Sequence, residues 1–311
     1  MKNTVFIHTN AKQMVGAIAS AYSLKRNSRN PDAFDVRITS REDFPFFNDF
    51  EGRKFLRAGG WRTWKNDDLQ SFTPVRFMPP ELMEYQGRAV VVDPDVFAVG
   101  DVNELLTRDM GGKAIMAKAR KGHNGRDDYI ASSVMLLDCA KLPHWNVRKQ
   151  FEDMFAGKLD YEDWIILANE PRENIGFLES EWNDFDRLTS QTKLIHNTKR
   201  RTQPWKTGLQ VDFLPVERFP LFPPFGWLMT ARRKLLGDYA LLGRYRRHPD
   251  SRQEALFWAL LRETLDNGAF TEAFLRQEMA RGHLRPDTFE KVASVPSVEA
   301  VLGGLGQRKA A

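Results

Sequence analysis

The sequence predicts an α/β protein: a mainly parallel central sheet with helices on both faces, followed by a helical C-terminal region. Three observations carry this expectation. Short apolar runs near residues 5–7, 34–39 and 90–92 are separated by helix-period segments or long connections, the alternation of strand–helix–strand units. Val90, Val91 and Val92 form an unbroken β-branched run, which suits a strand buried on both faces. Beyond about residue 250 the strand-like runs cease, and capped segments of helical period take over.

Taken in order, Val5, Phe6 and Ile7 form the first strand and end in His8-Thr9-Asn10. Met14, Ile18 and Tyr22 then recur at helical spacing, with Val15 and Ala21 beside them. Asn10 followed three residues later by Gln13 approximates a capping box, so a helix is expected to start there. Such a turn offers N-terminal amides to an anion. Phe34, Val36 and Ile38 alternate as a second strand.

From Arg41 to Gln70 the pattern dissolves into aromatic and charged residues around Gly59-Gly60. Long connections of this kind often carry function. Trp61, Trp64, Lys65 and Asn66 either line a pocket or pin the connection to the core. Pro79-Pro80 limits any helix before Glu81, and Asp101 is placed to cap a helical turn over residues 102–106. Residues 113–119 and 133–138 are further strands, joined by the charged segment KGHNGRDD. Helices are expected over 146–155, ended by Gly157, and over 161–168, ended before Pro171. Trp182-Asn183 opens a turn, and residues 193–196 (KLIH) precede the basic tract KRRTQPWK.

Prolines and phenylalanines crowd residues 211–227, which places a boundary near 210. The expected organisation is a main domain over 1–210, a helical extension over 211–302 packed on it, and a disordered tail over 303–311. Ser251-Arg252-Gln253-Glu254 matches a capping box, Asn267-Gly268 is a stop, and Thr271 and Asp287 are caps for two further helices. Residues 230–248 read as a basic amphipathic helix, with Leu235, Tyr239 and Leu242 on one face. It is either a packed helix with a solvated basic face or a peripheral contact with an anionic membrane.

Composition narrows the function. The chain has 311 residues, is 42% hydrophobic, and carries a formal charge of +5. This suits a globular protein with an ample core and a phosphate-bearing ligand. Cys139 is the single cysteine, which excludes an internal disulfide and reads as a buried thiol. No run approaches the roughly 18 apolar residues of a membrane-spanning helix. Lys12 and Gln13 break the only signal-like stretch, so a cytoplasmic location is expected. The sequence holds no G-x-G-x-x-G after the first strand, no P-loop, no H-E-x-x-H and no G-x-S-x-G. Nor does it hold an aromatic-plus-basic nucleic-acid signature.

What remains is Asp93-Pro94-Asp95 at the exit of the valine strand. Two carboxylates stiffened by a proline make a hard-oxygen site for Mg²⁺ or Mn²⁺ bridging a diphosphate. A second D-x-D, Asp184-Phe185-Asp186, follows a polar turn and reads as a solvated face or a cap.

Five stretches, RFMPPEL (76–82), RAVVVDPDVFAVGDVNEL (88–105), SVMLLDCAKL (133–142), WN (182–183) and LIHNTKRRTQPW (194–205), occur in this order. Together they resemble the landmarks of family 8 glycosyltransferases over about residues 3–207. That resemblance implies a GT-A fold and retaining transfer of a hexose from a nucleoside diphosphate sugar, with a UDP-hexose as the expected donor. A glycan or lipid-linked acceptor, in lipopolysaccharide-type assembly, is the implied partner. Asp93, Asp95 and His196 would hold Mn²⁺ or Mg²⁺, and imidazole beside two carboxylates suits a borderline cation. The resemblance further places Arg76 against the donor, and Thr9, Asn10 and Gln13 at its base and ribose. Trp205 matches the end of the family's HxxGxxKPW motif, which places it at the donor as well.

The departures are specific. Ala131-Ser132-Ser133 stands where the family has asparagine, a small residue and glycine. The family's aspartate–glutamine pair has a loose counterpart in residues 161–164, which makes Asp163 the candidate catalytic residue. The motif glycine and lysine are absent, leaving Lys199, Arg200, Arg201 or Lys206 to face the phosphates. An alternative reading is a non-catalytic binding protein that keeps the GT-A fold with altered donor motifs.

Overall fold

The computed structural model describes residues 2–121, 129–214, 231, 235–237 and 239–303. The main sheet has six strands: β1 (Thr4–Thr9), β2 (Asp35–Ser40), β5 (Arg88–Val92), β7 (Ile115–Arg120), β8 (Tyr129–Asp138) and β9 (Ile175–Phe177). Their order across the sheet is β2-β1-β5-β8-β7-β9. β1 runs parallel to β2 and β5, and β7 runs parallel to β9. β8 is antiparallel to both of its neighbours, so the sheet is mixed. The reason is the short connection after Arg120, which returns the chain beside itself and leaves no length for a crossover helix. Residues 122–128 of that connection lie outside the described residues.

β5 occupies the centre because its sequence can be buried on both sides. Val90 and Val92 pack on one face and Ala89 and Val91 on the other, all without solvent exposure. Each buried valine contributes roughly 1.5–3 kcal/mol relative to exposure. Helix α1 (Met14–Arg26) covers one face. The other face is covered by α2 (Pro79–Leu82), α4 (Val147–Phe155) and α5 (Tyr161–Ile165), while α3 (Asn103–Thr107) packs on the α1 side. The connection over 41–70 contains a hairpin of β3 (Lys54–Arg57) and β4 (Gly60–Thr63). Trp64 sits in the core against Phe55 and Phe151, whereas Trp61 is 54% exposed.

A second sheet of β6 (Val96–Ala98), β10 (Asp184–Phe185) and β11 (Leu194–His196) follows the exit of β5. Beyond it, α6 (Ser251–Asp266), α7 (Glu272–Ala280), α8 (Thr288–Ser294) and α9 (Val298–Gly303) form the C-terminal helical region. α6 packs on α1, joined by Phe97, Trp205 and Phe257 in one core cluster. No described helix is long and apolar enough to cross a membrane.

Several local expectations need correction. Asn10 does not cap a helix; its amide donates to the carbonyls of Asp68 and Leu69 and to Ser71 Oγ. A 3-10 turn, Ala11–Gln13, precedes α1 instead. The cap of α6 is Asp250, one residue before the expected serine, and its carboxylate accepts Arg252 N at 3.1 Å. Asp287 stands at the N-cap position of α8, but its side chain caps no backbone amide and pairs with Arg285 instead. The helix expected over 161–168 stops at Ile165. Residues 239–248 are not helical: Gln210 bridges Arg244, and Leu242 and Tyr245 turn inward against Leu69, Val211 and Phe213. Leu235, Leu236 and Leu241 are exposed, which breaks the apolar face assumed for 230–248. Residues 230, 232–234 and 238, the crowded segment from 215 onward and the tail after 303 lie outside the described residues.

Cys139 is fully buried, and loss of hydration pushes its thiol up to about 12. It is therefore expected to resist iodoacetamide in the native protein at pH 8 and to react stoichiometrically in 6 M guanidinium. Labelling of the native protein, read by intact mass, would contradict this placement.

Candidate metal and ligand site

β1 and β5 are parallel neighbours with Ile7 opposite Val92, so both chains leave the sheet at the same edge. This places His8 beside Asp93 at the carboxyl ends of the strands, where open α/β sheets bind ligands. Asp93 N donates to Ser133 O (3.0 Å) and Val96 N to Asp93 O (3.1 Å), which closes a tight turn through Pro94. Gly16 is required beside it. A Cβ there would lie 2.6 Å from Pro94 O and 2.9 Å from the Trp205 ring.

The third candidate ligand arrives through strand register. β6 begins directly after Asp95, and β11 pairs antiparallel with it, His196 opposite Val96. Asn197 N also donates to Asp95 O at 3.1 Å. His196 Nε2 consequently lies 3.3 Å from Asp95 Oδ1 and 3.8 Å from Asp93 Oδ2. One ligand atom from each of Asp93, Asp95 and His196 falls within 4.8 Å of the others. Two carboxylates and an imidazole so placed could hold a divalent cation.

The surroundings keep Asp93 ionised. Burial opposes charge on Asp93, yet Arg76, His8 and His196 outweigh it and hold the carboxyl well below its ordinary range. Arg76 Nη2 donates to both Asp93 oxygens (2.7 and 3.0 Å), Nη1 to Ser132 Oγ (2.6 Å), and Nε to His8 Nε2 (3.3 Å). Burial lowers the pKa of His8, with Asp93 opposing. For His196 burial again disfavours the proton, but Asp95 and Asp93 prevail and raise its pKa.

The site opens into a cavity of about 850 Å³, whose lining includes Gln13, Arg76, Asp93, Asp95 and His196. Gln13 Nε2 donates to Gln203 Oε1 (3.0 Å), and Gln203 Nε2 donates to Asp95 (3.3 Å). The walls also include Arg57, Glu162, Arg120, Phe185 and Arg200. Arg57 pairs with Glu162 at 3.0 Å. Asp160 fixes this corner by accepting Ala58 N and Gly59 N at the hairpin tip and Glu162 N at the start of α5.

Other expected site residues lie elsewhere. Thr9 and Asn10 are buried and do not line the cavity. Asp163 is exposed on the outer side of α5, whereas Glu162 lines the cavity. One residue turns a helix by about 100°, so the neighbouring carboxylate faces away. Lys199 and Arg201 are exposed outside the cavity. Lys206 is buried against Asp212 at 2.6 Å; burial pulls its pKa down and Asp212 opposes. Trp205 is wholly buried against Phe97 and Phe257. Of the four basic residues of that tract, only Arg200 lines the cavity. Its pKa is lowered first by loss of hydration and then by the neighbouring Arg57. Trp61, Trp64, Lys65 and Asn66 do not line this cavity, although Trp61 lines a separate pocket with Arg53, Lys54 and Phe155; Arg57, Ala58, Arg62, Leu69 and Gln70 represent that connection.

The second D-x-D lies in and just after β10 and caps no described helix, and Asp184 is buried rather than solvated. Asp184 accepts from Thr192 Oγ1 at 2.8 Å, and Asp186 receives Thr198 Oγ1 and His248 Nε2. The residues sequence reasoning missed are His8, Ser132, Asn183, Glu162 and Gln203. Only His8 carried a usable signal, since it ends a strand that must neighbour β5 in a parallel sheet.

No family model and no curated protein matches the chain. Among solved structures it is similar to the apo form of the glycosyltransferase GlyE of Streptococcus pneumoniae TIGR4, at 14% identity and TM-score 0.47. That alignment covers 86% of this chain and 64% of GlyE, so the chain spans less than two thirds of that protein's length. It is similar to the galactosyltransferase LgtC in complex with donor and acceptor sugar analogues, at 17% identity, TM-score 0.43, and coverage of 65% and 89%. It is likewise similar to apo mouse xyloside xylosyltransferase 1, at 14% identity, TM-score 0.41, and coverage of 63% and 97%. Likeness at this level transfers no residue role. The chain's own topology, a mixed Rossmann-like sheet flanked by helices with a helical C-terminal region, is of the GT-A type.

Proposed function

We propose that this protein is a metal-dependent, retaining glycosyltransferase that moves a hexose from a nucleoside diphosphate sugar, UDP-hexose first, to a glycan or lipid-linked acceptor hydroxyl. The observation that supports it best is the convergence of Asp93, Asp95 and His196 on one point at the carboxyl end of β5, opening into the 850 Å³ cavity. The donor set fits Mn²⁺, with Mg²⁺ the harder alternative. The cation supplies Lewis-acid stabilisation of the departing diphosphate.

The residues around it have distinct tasks. Arg76 and His8 keep Asp93 ionised and oriented. Gln203, held by Gln13, orients Asp95. Arg200 lines the cavity with a second guanidinium, Arg57, beside it, an arrangement relieved by an anion such as a phosphate. In the transfer itself the anomeric carbon–oxygen bond to the diphosphate breaks and a bond to the acceptor oxygen forms on the same face. The acceptor proton leaves toward the departing phosphate oxygen. Retention of configuration rests on the family resemblance.

Calorimetric titration with UDP-glucose and UDP-galactose, with and without Mn²⁺, tests this reading. Metal-dependent binding is the expected result, and binding indifferent to metal would favour a non-catalytic binding protein. In the same titration Arg200→Gln is expected to weaken the UDP-sugar by about 10-fold, the loss of one charged hydrogen bond. Lys199→Gln and Arg201→Gln should leave affinity unchanged. Equal losses in all three variants would remove Arg200 from this role.

A further inference from the structure

We infer that Asn183 is a positioning residue that fixes the tautomer and orientation of His196, so that its Nε2 lone pair faces the cation site. The inference rests on the proposed cation at Asp93, Asp95 and His196. Asn183 has no solvent exposure. Its Oδ1 lies 2.9 Å from His196 Nδ1, and its Nδ2 donates to Ser133 Oγ at 2.9 Å. Its main-chain carbonyl accepts Lys118 Nζ at 2.9 Å. The side chain is thus held at both ends, by β8 on one side and by the metal-facing histidine on the other.

This fastening has one chemical consequence. An amide oxygen can only accept, so Nδ1 of His196 must carry the proton. In the neutral ring Nε2 is then left with its lone pair, directed toward Asp95 and Asp93. With the amide reversed, its N–H would face Nδ1, the proton would move to Nε2, and the ring would point a donor at the cation. Ser133 stabilises the productive arrangement, because its hydroxyl accepts from Nδ2 and leaves Oδ1 for the histidine. The serine that departs from the family's glycine pattern therefore has a structural task here. A partner that orients a metal-bound histidine typically changes metal affinity by about 10- to 100-fold.

Mn²⁺ affinity, read by electron paramagnetic resonance of the free ion, provides the test without any turnover. The wild-type protein should bind one Mn²⁺; if it binds none, the cation site itself falls and this inference with it. Asn183→Leu should weaken binding about 10- to 100-fold, while Asn183→Asp, which keeps an accepting oxygen and lets Ser133 reverse its hydroxyl, should stay within about 3-fold. Wild-type affinity in Asn183→Leu, or an equal loss in both variants, would overturn the inference and leave Asn183 as packing. Should Asn183→Leu not fold, ¹⁵N chemical shifts of histidine-labelled wild-type protein above the His196 pKa decide. A protonated Nδ1 supports the assignment, and a protonated Nε2 overturns it.

Discussion

Asp95→Ala is expected to lower kcat/KM for Mn²⁺-dependent transfer from the UDP-hexose by roughly 10³-fold, the loss of several kcal/mol of charge stabilisation at the diphosphate. Its melting temperature should remain close to that of the wild type. The two carboxylates differ in what else they support. Among the described residues, Asp95 meets only His196 and Gln203 through its side chain. Asp93 balances Arg76 and His8 in a nearly closed environment. Removing Asp93 would strand a buried guanidinium, at a cost of about 3–5 kcal/mol in stability. Asp95 therefore separates chemistry from folding, and turnover by Asp95→Ala equal to wild type would remove that carboxylate from the cation site.

Trp205→Ala is expected to destabilise the fold by about 3–5 kcal/mol in urea denaturation, with UDP-sugar affinity of the remaining folded protein unchanged. The indole is fully buried between Phe97 and Phe257, and Gly16 is bare to admit it. Its main-chain carbonyl accepts Arg285 N at 2.9 Å, which ties the segment to the C-terminal helices. The family resemblance had suggested a donor contact for this tryptophan. A large loss of UDP-sugar affinity with stability intact would restore that role and overturn the core assignment.

The difference between these two residues shows where sequence reading stops. Asp93 and Asp95 were legible because a triple-valine run can only be buried, and a pair of carboxylates after it can only be at its exit. Trp205 was quoted in a motif, but a motif records position along the chain, not which side of a turn faces a ligand. The same limit explains the basic tract. Lys199, Arg200, Arg201 and Lys206 are alike in sequence, and the 3-10 turns over Arg200–Thr202 and Pro204–Lys206 select only Arg200 for the cavity. On α5 a single step of helix phase exchanges Asp163 for Glu162. Asn183 had no signal beyond its place in a two-residue landmark, because its role depends on Ser133 and His196, which lie on other strands.

For the valine strand and its carboxylates, local sequence alone determined that this strand is central and that Asp93 and Asp95 sit at its exit, facing solvent or a ligand. Burial and period are properties of a short stretch, so they can be read without the rest of the chain. Only the tertiary structure decided which side chains join them. The antiparallel register of β11 on β6 carries His196 across about a hundred residues to Asp95. The parallel register of β1 on β5 brings in His8. Such registers arise from hydrogen bonds between distant strands, and no pattern within either strand records its partner.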